Sequence, residues 1–153
     1  MMGEFDSVDE ILEFAIAREI EANQFYMTLA KQAENPTMRK VFEDFAEEEL
    51  EHKAKLELEA MKEGVVTAPV EKAANFKIAD YMSDVKLSAD MDYEDVLILA
   101  MRKEKRSVRL YVDLAAIVED ANSRETLLSL AVEEAKHHAR FEIEYDEIVL
   151  KGS

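Results

Sequence analysis

Two short stretches 85 residues apart, Glu48-Glu49-Leu50-Glu51-His52 and Glu133-Glu134-Ala135-Lys136-His137, constrain this chain more than any other feature of it. In each, a glutamate stands three residues before a histidine in a helix-forming sequence, so both side chains project from one face about a turn apart. That is a metal-ligand spacing. The echo reaches beyond the motif: the same shift places Glu19 on Glu104, Tyr26 on Tyr111, Leu29 on Leu114 and Arg39 on Arg124. From the lone glutamate to the Glu-x-x-His glutamate is 30 residues in both halves, the span of part of a helix, a short turn and part of a second helix. Of the three histidines in the chain, two fall on this repeat.

Around these residues the sequence reads as four long helices. The first, capped by Asp6 or Ser7, has an apolar seam through Val8, Leu12, Ala15, Glu19, Ala22, Tyr26, Leu29 and Ala33, interrupted only by Glu19. Asn35-Pro36-Thr37 breaks it, with Thr37 expected to cap the second helix, whose seam runs Met38, Phe42, Phe45, Glu49, His52, Leu56, Ala60 and stops near Gly64. Asp92 caps the third, with seam Tyr93, Leu97, Ala100, Glu104, Ser107, Tyr111, Leu114, Val118. Asn122-Ser123 supplies the next turn and cap, and the fourth helix carries Leu127, Leu130, Glu134, His137, Phe141 and Ile148 to about Leu150. Each helix spans roughly 25 to 30 residues, about 40 Å at 1.5 Å per residue.

A carboxylate at a core position costs several kcal/mol unless it is paired or coordinated, so matching polar interruptions in four apolar seams point to a shared partner. In four-helix di-iron carboxylate proteins two helices each give a Glu-x-x-His pair and the other two each give one glutamate. This chain offers all six: Glu19, Glu49, His52, Glu104, Glu134 and His137. Tyr26 and Tyr111, each seven residues after a lone glutamate, are candidates to hydrogen-bond the ligand carboxylates, with Asn23 and Ser107 weaker candidates. Glu47, Glu48, Glu51 and Glu133 read as solvated charge, and His138, one position off the seam, as a surface residue.

Composition narrows the class. Three glycines and two prolines among 153 residues favour long helices over β or α/β folds, and no Gly-rich phosphate loop is present. Zero cysteines exclude disulfides, thiolate metal sites and cysteine nucleophiles, and fit a reducing compartment. A net charge of -16 disfavours nucleic acid and anionic membranes as partners. No apolar run is long enough for a membrane span, and the N-terminus shows no basic-then-apolar secretory signal, so a cytoplasmic protein is expected. The expected architecture is an all-α bundle, one domain over 1–153, with pseudo-repeats at about 8–63 and 92–150. Residues 64–91 would join them as a long crossover, containing a short helical piece near Ala79 to Asp84, because helices two and three must run parallel.

With these residues in view, the chain resembles the rubrerythrin branch of the ferritin-like superfamily from about Val8 to Leu150. The resemblance rests on Glu19 with Tyr26, Glu49-x-x-His52, Glu104 with Tyr111, and Glu134-x-x-His137. It implies a non-haem di-iron centre in which Glu49 and Glu134 bridge, Glu19 and Glu104 are terminal, and one histidine serves each metal. Rubrerythrins proper carry a rubredoxin-type module with a four-cysteine iron, which a chain without cysteine lacks. Their third helix also offers a further glutamate three residues after the first, where this chain has Ser107. The site therefore resembles the simpler four-glutamate, two-histidine centre of bacterioferritin and related proteins.

The implied activity is reduction of hydrogen peroxide or dioxygen at two iron ions, with an external electron-donor protein and a role in oxidative stress. Mn or Zn are alternative metals, a ferroxidase or iron-storage role is the alternative function, and a homo-oligomer, most simply a dimer, is the expected assembly.

Overall fold

In the structure, a computed structural model, residues 5, 7–62, 76–82, 86–88 and 91–151 are described. They form four long helices: α1 (Val8–Gln32), α2 (Pro36–Ala60), α3 (Tyr93–Ile117) and α4 (Ala121–Lys151), with one 3-10 turn (Ile78–Asp80) between α2 and α3. The expected all-α four-helix bundle is what the chain adopts.

Each helix starts where a side chain can accept the first free amides. Ser7 accepts from the Glu10 amide, and Asp92 from the Asp95 amide. Two caps differ from expectation. Asn35, not Thr37, caps α2: its Oδ1 accepts from the Thr37 and Met38 amides at 2.8 and 3.1 Å, with Pro36 in the first turn where its missing N–H costs nothing. Asp120, not Asn122 or Ser123, caps α4 by accepting from the Ser123 amide at 2.8 Å. Ser123 itself is buried, and its hydroxyl donates to Glu59 Oε2 at 2.5 Å, tying the end of α2 to the start of α4. Glu59 is also held by Lys62 Nζ at 2.9 Å. The helix stop expected near Gly64 lies outside the described residues, though α2 itself ends at Ala60. The helical piece expected over Ala79 to Asp84 is the shorter turn Ile78–Asp80, and Ser83 and Asp84 are outside the described residues.

α1 packs along α2, and α3 along α4, so the molecule consists of two helical hairpins. The repeat seen in the sequence is carried into their turns. Arg39 Nη2 donates to the Ala33 carbonyl at 2.8 Å where α1 ends, and Arg124 Nη2 donates to the Val118 carbonyl at 2.9 Å where α3 ends. These guanidinium groups satisfy carbonyls that a helix C-terminus leaves free.

Two apolar clusters show how the hairpins face each other. One gathers Leu12 and Ala15 of α1, Leu56 of α2, Leu114 of α3 and Leu127 of α4, together with Phe76 and Tyr81 of the crossover. The other gathers Tyr26 and Leu29 of α1, Phe42 of α2, Leu97 of α3 and Phe141 of α4. α2 and α3 both run from the second cluster toward the first, so they are parallel, and the chain between them must cross the length of the bundle. The polar seam residues lie between the two clusters.

Removing the Ser123 hydroxyl leaves a buried Glu59 oxygen short of a donor, which typically costs about 1–3 kcal/mol. Ser123→Ala is therefore expected to lower the unfolding free energy from urea titration by that amount, with an unchanged m-value and unchanged helical circular dichroism.

Candidate metal centre

The four seams deliver Glu19, Glu49, His52, Glu104, Glu134 and His137 to the middle of the bundle, each at most 2% exposed. Helical periodicity explains the convergence: each lone glutamate and each Glu-x-x-His pair occupies core-facing seam positions, with apolar seam residues a turn before and a turn after the pair, such as Phe45 and Leu56 or Leu130 and Phe141. All six expected site residues are brought together. Their side-chain donors form two overlapping groups, Glu19, Glu49, His52 and Glu134, and Glu49, Glu104, Glu134 and His137; within each group the ligand atoms lie within 4.8 Å of one another. Glu49 and Glu134 belong to both groups, and the pairs Glu19/His52 and Glu104/His137 flank them.

Both imidazoles present Nδ1 to the cluster. His52 Nδ1 is 2.6 Å from Glu134 Oε1 and 3.4 Å from Glu49 Oε1. His137 Nδ1 is 3.4 Å from Glu49 Oε1 and 3.6 Å from Glu104 Oε1. The two rings lie 6.2 Å apart and nearly parallel, with an interplanar angle of 18°. Phe45 stacks on His137 at a centroid distance of 3.8 Å and fixes the ring plane.

The tyrosines bond across the hairpins. Tyr26 of α1 donates its hydroxyl proton to Glu104 of α3, and Tyr111 of α3 donates to Glu19 of α1. Burial raises both hydroxyl pKa values, and the carboxylates facing them raise them further, so each phenol stays protonated and remains a donor. Asn23 is also buried but reaches the Ala46 carbonyl at 2.7 Å, so it links α1 to the backbone of α2. His138, as expected, stays off the cluster and pairs with Glu142 at 2.9 Å.

One residue that sequence pattern assigned to solvent belongs here. Glu48 Oε2 lies 3.3 Å from His137 Nε2, so a carboxylate supports the outer nitrogen of an imidazole whose inner nitrogen faces the cluster. Such partners fix the ring's orientation and tautomer. The one available signal was the position of Glu48 beside the seam residue Glu49, which alone does not separate it from Glu47 or Glu51.

Four carboxylates at this depth repel one another. Burial pushes the Glu49 and Glu134 carboxyls up, and the neighbouring glutamates push them further. Burial acts on Glu104 in the same sense, but the polar groups of Glu134 and His137 beside it outweigh burial and lower its pKa. For His52, burial alone would lower the pKa; the hydrogen bond to Glu134 and the nearby Glu19 carboxylate reverse this and raise it to about 10. Even so, Glu19 Oε2, both Glu49 oxygens, Glu104 Oε2, Glu134 Oε2 and His137 Nδ1 are buried without a hydrogen-bond partner. Orphaned acceptors aimed at a common point, with only oxygen and nitrogen donors among them, fit bound divalent cations.

The sequence model of the family described as Rubrerythrin matches residues 10–145, a span containing all six cluster residues. The chain belongs to the rubrerythrin family. Among solved structures, its fold is similar to that of a hypothetical protein from Pyrococcus furiosus, at 24% identity and a TM-score of 0.74, covering 94% of this chain and 90% of that one. It is also similar to a proposed ferritin-like diiron-carboxylate protein from Thermotoga maritima, at 21% identity and a TM-score of 0.75, covering 96% and 98% of the two chains. No curated protein matches the chain. As a rubrerythrin-family chain it has no helix, among the described residues, long and apolar enough to cross a membrane.

The protonation pattern sets the pH dependence of the metal-free protein. Glu49, Glu134 and His52 all have folded pKa values above their unfolded ones, so the folded state binds more protons, and the stability they confer is lost as pH rises. Glu104, shifted down, loses its contribution only in acid. Chelator-treated protein is therefore expected to melt about 5–10 °C lower at pH 9 than at pH 6.5 by differential scanning calorimetry.

Proposed function

We propose that this chain is a non-haem di-iron oxidoreductase of rubrerythrin type, which reduces hydrogen peroxide or dioxygen and is re-reduced by an external electron-donor protein. The observation that carries the reading is the pair of overlapping ligand groups sharing Glu49 and Glu134. Glu19 and His52 would hold one ion and Glu104 and His137 the other, with the two shared carboxylates between them. Two iron ions so held would supply two electrons together, which would suit cleavage of an O–O bond: hydrogen peroxide, two electrons and two protons give two waters.

The chain's own groups have definite tasks in this reading. Tyr26 and Tyr111 hold the outer glutamates by donating to them, and as protonated phenols they are not themselves anionic ligands. Glu48 and Phe45 keep the His137 ring facing inward. The apolar clusters above and below exclude bulk water from the ends of the site. With no cysteine in the chain there is no thiolate-held iron to deliver electrons, so the donor is external. We read the whole chain as a single ferritin-like domain, acting in the cytoplasm in defence against oxidative stress and assembling as a homodimer.

The test is anaerobic loading with Fe(II), metal analysis, then peroxide addition followed by ferric absorbance. About two irons per chain are expected from the ligand count. Wild-type iron should oxidise at least about tenfold faster than iron given to Glu49→Ala, and Tyr111→Phe should fall between them. Equal rates in wild type and Glu49→Ala would remove the redox assignment. Because metal binding displaces the protons described above, the gain in melting temperature on loading should grow from pH 6.5 to pH 9.

A further inference from the structure

Between α1 and α3, beside the cluster, is a cavity of about 20 Å³, room for a water-sized molecule. Its inner end is formed by the buried Tyr26 and Glu104, and its outer part by the half-buried Arg18, Lys103, Arg106 and Ser107. The gap has a simple origin. The residues three positions after Glu19 and Glu104 face it, and both are small, Ala22 and Ser107. Tyr81 of the crossover covers one side, held by its hydrogen bond to Asp113 at 2.9 Å and by Arg106 Nη1 donating to the Asp80 carbonyl at 3.0 Å.

The charge around this cavity is opposite to that of the molecule. Three cations, Arg18, Lys103 and Arg106, line it beside two carboxylates, Glu21 and Glu104, which leaves the lining net positive on a chain of net charge -16. Arg18 is paired with Glu21 at 2.6 Å. Lys103 has no carboxylate within ion-pair distance among the described residues; its ammonium sits 5.1 Å from the centre of the Phe25 ring. Arg18 and Lys103 occupy equivalent positions in the two repeats, so the pseudo-symmetry that gathers the carboxylates also gathers these two cations beside them.

We propose that this cavity is the entry and docking pocket through which a small, lone-pair-rich oxidant of the peroxide class reaches the cluster, with Lys103 and Arg18 attracting it and repelling divalent cations. The inference rests on the di-iron reading above and gives that site its substrate route. A mouth of this sign favours an anion or polar oxidant over free metal ions as the species taken in during turnover. Ser107 keeps the throat open, and Lys103 supplies the field.

The test uses azide, a narrow monoanion, with the iron-loaded, oxidised protein, reading affinity and entry rate from the absorption change. Lys103→Glu is expected to weaken binding about tenfold or more, and Lys103→Arg to stay within about twofold of wild type. Ser107→Phe should slow entry about tenfold at unchanged iron content. Raising ionic strength should slow azide entry into wild type and speed it into Lys103→Glu. Wild-type affinity, rate and salt dependence in both Lys103→Glu and Ser107→Phe, with iron retained, would overturn the pocket and leave peroxide reduction standing. The expected azide pattern in a wild-type protein inert to peroxide would do the reverse, leaving an anion pocket beside a site with another role.

Discussion

Mutual repulsion among Glu19, Glu49, Glu104 and Glu134 is the constraint to which the rest of this structure answers. Each is at most 2% exposed, so water screens none of them, and removing even one carboxylate from water without compensation costs several kcal/mol. Protons on the shared carboxylates and on His52 relieve part of that cost, and phenol donors relieve another part. The oxygens still lacking a partner define where cations fit. An apolar core would be more stable than this one; the polar middle of the bundle makes physical sense as a binding site and not as a means of holding the helices together.

Holding such a cluster requires rigid walls, and the two-hairpin arrangement supplies them. The first hairpin gives Glu19, Glu49 and His52, the second gives Glu104, Glu134 and His137, and neither completes a ligand group alone. The tyrosine bonds cross from one hairpin to the other, so docking of the hairpins and alignment of the outer glutamates are one event. Aromatic packing of Phe42, Phe45 and Phe141 next to His137 fixes one side, while Leu56, Leu127 and Leu130 belong to the cluster on the other. Strict symmetry is not kept. Glu48 reaches His137, whereas Glu133, its counterpart in the second repeat, lies 3.8 Å from Lys136.

Seam residues were legible in the sequence because burial on a helix is periodic: Leu12, Glu49, Leu97 and Phe141 all occupy core positions that spacing alone assigns. The crossover was legible too, since the parallel run of α2 and α3 follows from the ligand pattern. What escaped depends on contacts that no period encodes. Asn35 and Thr37 are both good caps, and the choice between them is made by Pro36, which takes the first helical position and leaves the cap to the residue before it. Asp120 took the cap of α4 because Ser123 was drawn inward to Glu59 of another helix, a contact 64 residues away in the chain. Glu48 looks like its solvated neighbours until α4 is placed beside it, and the cations at Arg18 and Lys103 form a group only once α1 meets α3.

Whether cations sit where the orphaned oxygens point is decided most directly by anomalous diffraction from crystals grown with Fe(II) under exclusion of air. The account predicts two peaks at the iron edge, about 3.5–4 Å apart. One should lie against Glu19 and His52, the other against Glu104 and His137, with Glu49 and Glu134 touching both. A map with no peak among these six side chains, or with metal bound only at the acidic surface, would contradict it.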